Sequence, residues 1–267
     1  MNSSALKPIT IDSLQAMKLR GEKISCLTAY DASFSALIDK AGVDVILVGD
    51  SLGMVIQGHT TTVPVLMDTM VYHTRCVSRA RERALVIADL PFLSYATEAA
   101  AAVNTARLMQ DGGAHMIKLE GARPDLVAFL VEQGVPVCGH LGLQPQSINR
   151  LGGYKVQGRA PVDADKIMQD ALALEAAGSS LLVLECVPAS LAGAISQRLK
   201  IPVIGIGAGL DCDGQVLVLY DVLNIGIGKR PRFSRDFMQG AGSIEAALQN
   251  YHKAVKNTEF PAIEHSF

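Results

Sequence analysis

Residues 44–50 read DVILVGD, and this stretch decides how the rest of the chain is read. Val45 to Val48 form an unbroken apolar run bounded by turn-forming residues, the signature of a strand buried on both faces. Asp50 falls where such a strand leaves the core. The pattern recurs at 84–89 (ALVIAD), 116–120 (MIKLE) and 181–185 (LLVLE), which end in Asp89, Glu120 and Glu185.

Working outward, strand candidates lie at 25–30, 44–49, 84–89, 115–120, 135–139, 181–186, 202–206 and 222–226. Helical patterns fill the gaps at 31–41, 67–81, 97–111, 123–133, 163–177, 188–199 and 211–220. Gly42, Gly112-Gly113, Gly134 and Gly178 stand where helix hands over to strand, as helix C-termini require. Pro136 and Pro202 open two strands, where a missing N–H is tolerated. Eight βα repeats in about 250 residues predict an α/β fold of the (β/α)8 TIM barrel type. A doubly wound open sheet shows the same alternation, but the count of eight favours the barrel. No linker, low-complexity segment or charge block divides the chain, so residues 1–267 read as one domain. From about 231 the tail reads as a C-terminal helical extension.

Composition narrows the function. The 267 residues are 49% hydrophobic, ample for a large core, and carry 24 basic against 26 acidic side chains. That balance leaves no footprint for nucleic acid. Tryptophan is absent and aromatics are 5%, which disfavours a base-stacking platform. The first 20 residues mix polar and apolar types without a signal-peptide core, and no run reaches membrane-spanning length. Cys26, Cys76, Cys138, Cys186 and Cys212 lie far apart with no metal-ligand spacing, as expected for reduced thiols in a cytoplasmic protein.

Barrel chemistry sits at the C-terminal ends of the strands. There the sequence delivers Asp50 with Ser51 after strand two and Asp89 after strand three. Lys118 and Glu120 close strand four, His140 strand five and Glu185 strand six. Taken singly, a strand-end carboxylate is more often a helix N-cap or an ion-pair partner. Asp50, Asp89 and Glu120 on adjacent strands are instead expected to converge on one metal. Three oxygen donors without His or Cys suit Mg²⁺. Lys118, two residues from Glu120, shares its face of the strand and is poised to hold a substrate oxygen. Glu185, away from the metal trio, is a candidate base. His140 reads equally as a loop histidine or a site residue.

Other signals are weaker. GIGAG at 205–209 reads either as a phosphate-cradling turn or as a tight turn with close helix packing. Gly152-Gly153-Tyr154-Lys155 reads as a loop near the mouth, and His59 and His73 as structural or surface residues.

Several stretches carry a resemblance. They are 47–64 (LVGDSLGMVIQGHTTTVP), 87–96 (IADLPFLSYA), 137–158 (VCGHLGLQPQSINRLGGYKVQG), 184–188 (LECVP) and 203–209 (VIGIGAG). Together they closely resemble the ketopantoate hydroxymethyltransferases, from about residue 8 to the terminal EHSF. The resemblance implies a (β/α)8 barrel assembled as a homodecamer, a pentamer of dimers. It implies transfer of a hydroxymethyl group from 5,10-methylenetetrahydrofolate to 3-methyl-2-oxobutanoate, giving 2-dehydropantoate for pantothenate and coenzyme A synthesis. By the same resemblance the metal ligands fall on Asp50 and Asp89, with Glu120 reaching the metal directly or through water. Keto-acid contacts fall on Asp50, Ser51, Asp89 and Lys118, with His140 on the substrate side and the base on Glu185. Two other readings compete: a Mg²⁺ keto-acid barrel of the phosphoenolpyruvate mutase and isocitrate lyase type, and a non-catalytic barrel that binds a metabolite.

Overall fold

The apolar runs become eight parallel strands that close on themselves in sequence order, β1 pairing with both β2 and β8. They are β1 (Ile24–Thr28), β2 (Val45–Val48), β3 (Leu85–Asp89), β4 (Met116–Glu120), β5 (Val137–Gly142), β6 (Leu181–Glu185), β7 (Val203–Ile206) and β8 (Gly214–Leu217). In this computed structural model residues 7–226 and 230–267 are described, so the first six residues of the N-terminal stretch fall outside it. The single-domain (β/α)8 barrel is thus the observed fold, and the open-sheet alternative is excluded.

Helices alternate with the strands and cover the barrel. They are α1 (Ile11–Leu19), α2 (Ala32–Lys40), α3 (Leu52–Val55), α4 (Met67–Ser78), α5 (Glu98–Ala106), α6 (Pro124–Glu132), α7 (Ile148–Leu151), α8 (Pro161–Ala176), α9 (Ala189–Arg198), α10 (Leu219–Val222) and α11 (Ile244–Lys256). Their starts follow local chemistry. Asp31 and Thr97 cap α2 and α5 by accepting the Phe34 and Ala100 N–H groups, and proline opens α6 and α8. Within the tail expected to be a helical extension, α11 packs Leu248 and Tyr251 inward, with Tyr251 Oη donating to the Cys26 and Gln215 carbonyls.

The expected last repeat is corrected by the structure. The eighth strand is Gly214–Leu217, inside the stretch read as helix 211–220, and 222–226 is not a strand. Val222 instead ends α10, and Asn224 turns the chain with φ 53°. Steric room explains the choice. A Cβ on Gly214 would clash with the Ile24 carbonyl and stand 2.6 Å from Ile204 Cδ1, so only glycine lets this strand wedge between β1 and β7.

Two hydrophobic layers result from strand alternation. One side-chain set faces the helices: Leu27, Ile46, Val48, Val86, Ile117, Leu119, Leu182 and Leu184, among others. The opposite set fills the barrel: Ile24, Cys26, Val45, Leu47, Leu85, Ile87, Met116, Cys138, Leu181, Val183, Ile204 and Val216, plugged from below by Leu14 and Met17 of α1. Each fully buried leucine or isoleucine contributes roughly 2 kcal/mol, so this parity is strongly enforced. The same parity aims the site. Asp89 continues the inward series Leu85–Ile87, and Lys118 and Glu120 continue from Met116. His140 follows Cys138, and Glu185 follows Leu181 and Val183.

Candidate active site

Register brings these inward groups side by side at one rim. Asp89 pairs with Lys118, Glu120 with His140, and Gly142 with Glu185 across successive strands. Asp50, two residues beyond β2, is tied to the rim by its own N–H, which donates to Asp89 Oδ2 at 3.1 Å. Lys118 Nζ stands 2.8 Å from Asp89 Oδ1. Its ammonium also lies 3.3 Å from His140 Nδ1. Since an ammonium can only donate, Nδ1 must accept, and a neutral imidazole then carries its proton on Nε2. That nitrogen lies 3.3 Å from Glu185 Oε2 without hydrogen-bond geometry, and among the described residues it makes no hydrogen bond.

Burial makes the charges consequential. Asp50, Asp89, Lys118, Glu120 and His140 are each at most 6% exposed, and the Glu185 side chain is 14% exposed. Burial, then the neighbouring Asp89, pushes the Asp50 carboxyl up to about 7. Glu120 is raised by burial and by Asp50. Burial also pushes Glu185 up to about 7, against the pull of Lys118. For Lys118, burial disfavours the ammonium, but Asp89, Glu120 and Asp50 together outweigh it and raise its pKa. Burial and the Lys118 charge push His140 well below its usual range, keeping it neutral. Four carboxyl groups thus surround one obligate cation, an under-compensated set of hard oxygen donors that fits a divalent ion.

Those donors are not a ready-made three-carboxylate cage. Among the described residues no group of three or more His, Cys, Asp or Glu side chains is arranged to hold one ion. The expected convergence of Asp50, Asp89 and Glu120 is loosened because each is already engaged. Asp89 is held by Lys118, and Glu120 Oε2 accepts the Gln146 N–H at 3.0 Å. Asp50 Oδ2 accepts the Gln146 side-chain amide at 2.8 Å.

Gln146 was not singled out by sequence reasoning, nor were Tyr95 and Tyr30. Gln146 sits in the loop after β5, 5% exposed, and its amide also donates to the Leu90 carbonyl while Oε1 accepts Tyr95 Oη at 2.7 Å. Tyr30, buried after β1, meets the Ser51 hydroxyl at 2.9 Å. Their sequence signal was the GLQPQS motif itself, and for the tyrosines their places just beyond β1 and β3. The remaining expectations also find positions. His59 is exposed, and His73 Nδ1 donates to the Tyr30 carbonyl. Tyr154, in the glycine-rich loop after α7, reaches Met54 Sδ at 3.5 Å. The 205–209 turn is the tight-packing kind: a Cβ on Gly207 would press on Phe233 and Phe267, and one on Gly209 on Ala189. Ala189 N–H, at the start of α9, is taken by the Phe267 oxygen at 2.9 Å.

Fold and site define a barrel enzyme whose mouth sets a buried cation and a high-pKa carboxyl on either side of one neutral imidazole, an arrangement for moving a proton beside a carbonyl. The chain belongs to the ketopantoate hydroxymethyltransferase family, whose model matches residues 8–263. It is 62% identical over 263 residues to the 3-methyl-2-oxobutanoate hydroxymethyltransferase of Alkalilimnicola ehrlichii, covering 98% of this chain and 95% of that one. The protein of the same name from Burkholderia vietnamiensis is 57% identical over 269 residues, covering 100% and 99% of the two chains. Among solved structures, a phosphonopyruvate hydrolase in complex with oxalate and Mg²⁺ shares the fold alone, at TM-score 0.59 and 13% identity over 78% of this chain and 80% of that one. The chain is therefore a transferase, and the non-catalytic barrel is set aside.

Proposed function

We propose that the enzyme transfers a hydroxymethyl group from 5,10-methylenetetrahydrofolate to 3-methyl-2-oxobutanoate, forming 2-dehydropantoate and tetrahydrofolate with consumption of one water. The observation that carries this reading is the convergence of Asp50, Asp89, Lys118, Glu120, His140 and Glu185 on one rim in a chain of this family. The competing phosphoenolpyruvate mutase and isocitrate lyase reading rests on likeness of fold alone.

Asp50 and Asp89 would hold Mg²⁺, with Glu120 acting through water. This matches the habit of Mg²⁺ of taking one or two carboxylates and keeping waters. When bound, the ion supplies Lewis-acid polarisation of the keto oxygen. Lys118 provides a fixed positive charge for the oxygen on which negative charge develops, already desolvated and oriented by Asp89. Ser51, aligned by Tyr30, contributes a hydroxyl to the keto acid. Glu185 removes the proton from C3. A carboxyl poised near neutrality is suited to both taking and returning it. His140 separates Lys118 from Glu185 and presents N–H toward the base. The resulting carbon nucleophile attacks the one-carbon unit of the folate.

We further propose the homodecameric assembly, a pentamer of dimers, which sedimentation analysis would test. A cytoplasmic location accords with five unpaired cysteines. No helix among the described residues is long and apolar enough to cross a membrane.

The decisive experiment is proton NMR of 3-methyl-2-oxobutanoate in D₂O with enzyme and Mg²⁺, before and after folate is added. Loss of the C3 proton signal, dependent on metal and on Glu185, followed by dehydropantoate formation, is the expected result. No exchange and no product with methylenetetrahydrofolate present would sink the reading.

A further inference from the structure

A cleft of ≈ 460 Å³ opens beside the barrel mouth, lined by the loops after β3, β4 and β5 and by α8. Glu120 and Gln146 belong both to its lining and to the carboxylate rim, so the cleft and the mouth share a wall. These two are buried, which marks the inner end. Arg123 and Arg150 are exposed and mark the outer end. Neither guanidinium is paired with a carboxylate among the described residues, whereas Lys166, also on the cleft, is held by Asp170 at 2.7 Å.

The apolar part of the lining is equally unusual. Phe92 and Leu93 stand out into solvent on this cleft, 41% and 65% exposed. Leu93 does so with φ 59°, in a turn closed by the Ser94 N–H to the Pro91 carbonyl at 3.0 Å. Glycine ordinarily fills that turn position, because a Cβ there costs about 1 kcal/mol. A leucine held in that conformation and facing water contributes little to the core. What it does supply is an apolar wall to the cleft.

A cavity with an apolar wall, two guanidiniums without a carboxylate partner at its outer end (Arg123 donating only to the Ala96 carbonyl at 3.4 Å) and a reactive rim at its inner end is complementary to one kind of ligand. That ligand has a flat aryl body and terminal carboxylates. We propose that the cleft binds the p-aminobenzoyl-glutamate portion of the folate donor. Phe92 and Leu93 lie against the aryl ring, and Arg123 and Arg150 receive the glutamyl carboxylates. The one-carbon end then lies toward the Glu120–Gln146 wall. This inference rests on the hydroxymethyl transfer proposed above.

The test begins with the unmutated enzyme and two fragments, p-aminobenzoyl-glutamate and p-aminobenzoate, titrated by calorimetry at two salt concentrations. The glutamyl fragment is expected to bind roughly tenfold more tightly, with the advantage shrinking as salt rises. Equal affinities overturn the proposal. In the Arg123→Gln/Arg150→Gln double variant, KM for methylenetetrahydrofolate is expected to rise by roughly tenfold or more while kcat changes little. A KM within about twofold of the unmutated enzyme overturns the assignment. Should the double variant not fold by circular dichroism, the fragment comparison still decides. Folate-independent C3 exchange by the unmutated enzyme separates the two levels. Exchange together with an unaltered variant KM removes only the cleft assignment, whereas absent exchange and absent product remove the transfer reading itself.

Discussion

Replacing Glu185 with Gln is expected to stabilise the protein, and to do so only toward higher pH. Burial moves this carboxyl from its ordinary 4.5 up to about 7. Below 4.5 it is protonated in the folded and unfolded chains alike, and the substitution has little effect. Between 4.5 and about 7 the unfolded chain releases the proton while the folded chain keeps it. The folded state then binds more protons, so stability falls as pH rises through that window and levels off above it. At about 1.4 kcal/mol per pH unit, the window corresponds to about 3 kcal/mol of destabilisation in full force at pH 8. Solvent relieves little of it, since the side chain is 14% exposed. For a protein of this length, 1 kcal/mol moves the melting temperature by about 2–4 °C, so the variant should melt about 6–12 °C higher at pH 8. Near pH 4.5 the two proteins should melt together. Calorimetric melting of both proteins in metal-free buffer at pH 4.5, 6 and 8 reads this directly. A difference that does not vary with pH would refute the buried-carboxyl argument, whatever the variant does to turnover.

Other consequences arise from the same geometry. Glu185→Ala should lose turnover by about a hundredfold or more while keto-acid binding, followed by calorimetry, stays largely intact; a comparable loss of binding would remove Glu185 as the base. The acid limb of kcat/KM for the keto acid should rise through an apparent pKa near 7, because the base must be ionised to act. Asp89→Asn should weaken Mg²⁺ and keto-acid binding together, and an unchanged metal titration would end its role as a ligand. Gln146→Leu removes one hydrogen bond to a carboxylate and two to neutral groups, so a loss of roughly 3–5 kcal/mol in stability is expected from denaturant titration.

Seven of the eight strands were legible because each is built mainly of apolar residues between turn signals, as a segment buried on both faces must be. β8 was not, since Gly214 and Gln215 break the apolar signal and the strand exists only because β1 and β7 leave room for a backbone without a side chain. The Val222–Ile225 run, more strand-like as a sequence, is used to end α10 and turn the chain. In the site, the charged residues announced themselves by standing where an apolar strand should continue. Gln146 and Tyr95 did not, because a neutral polar side chain in a loop is ordinary until the hydrogen bonds it makes are visible. The loosened metal trio has the same origin: sequence places carboxylates on strands, but competing partners such as Lys118 and the Gln146 N–H decide where their oxygens point.

The inward parity of the strands has a consequence for how such an enzyme diversifies. Asp89, Lys118, Glu120, His140 and Glu185 are all carried by the barrel wall itself, in registers that cannot slip without turning the core inside out. The cleft is lined chiefly by segments beyond the strand ends, at 92–96, 121–123 and 144–150. Under the transfer proposed above, most of the groups that would generate a carbon nucleophile are built into the frame, and the cleft that would hold its electrophile is hung on the loops. Loop exchange between such barrels should alter the one-carbon donor while leaving the acidity of the bound keto acid untouched, so the frame can serve as a chassis for new carbon–carbon bonds.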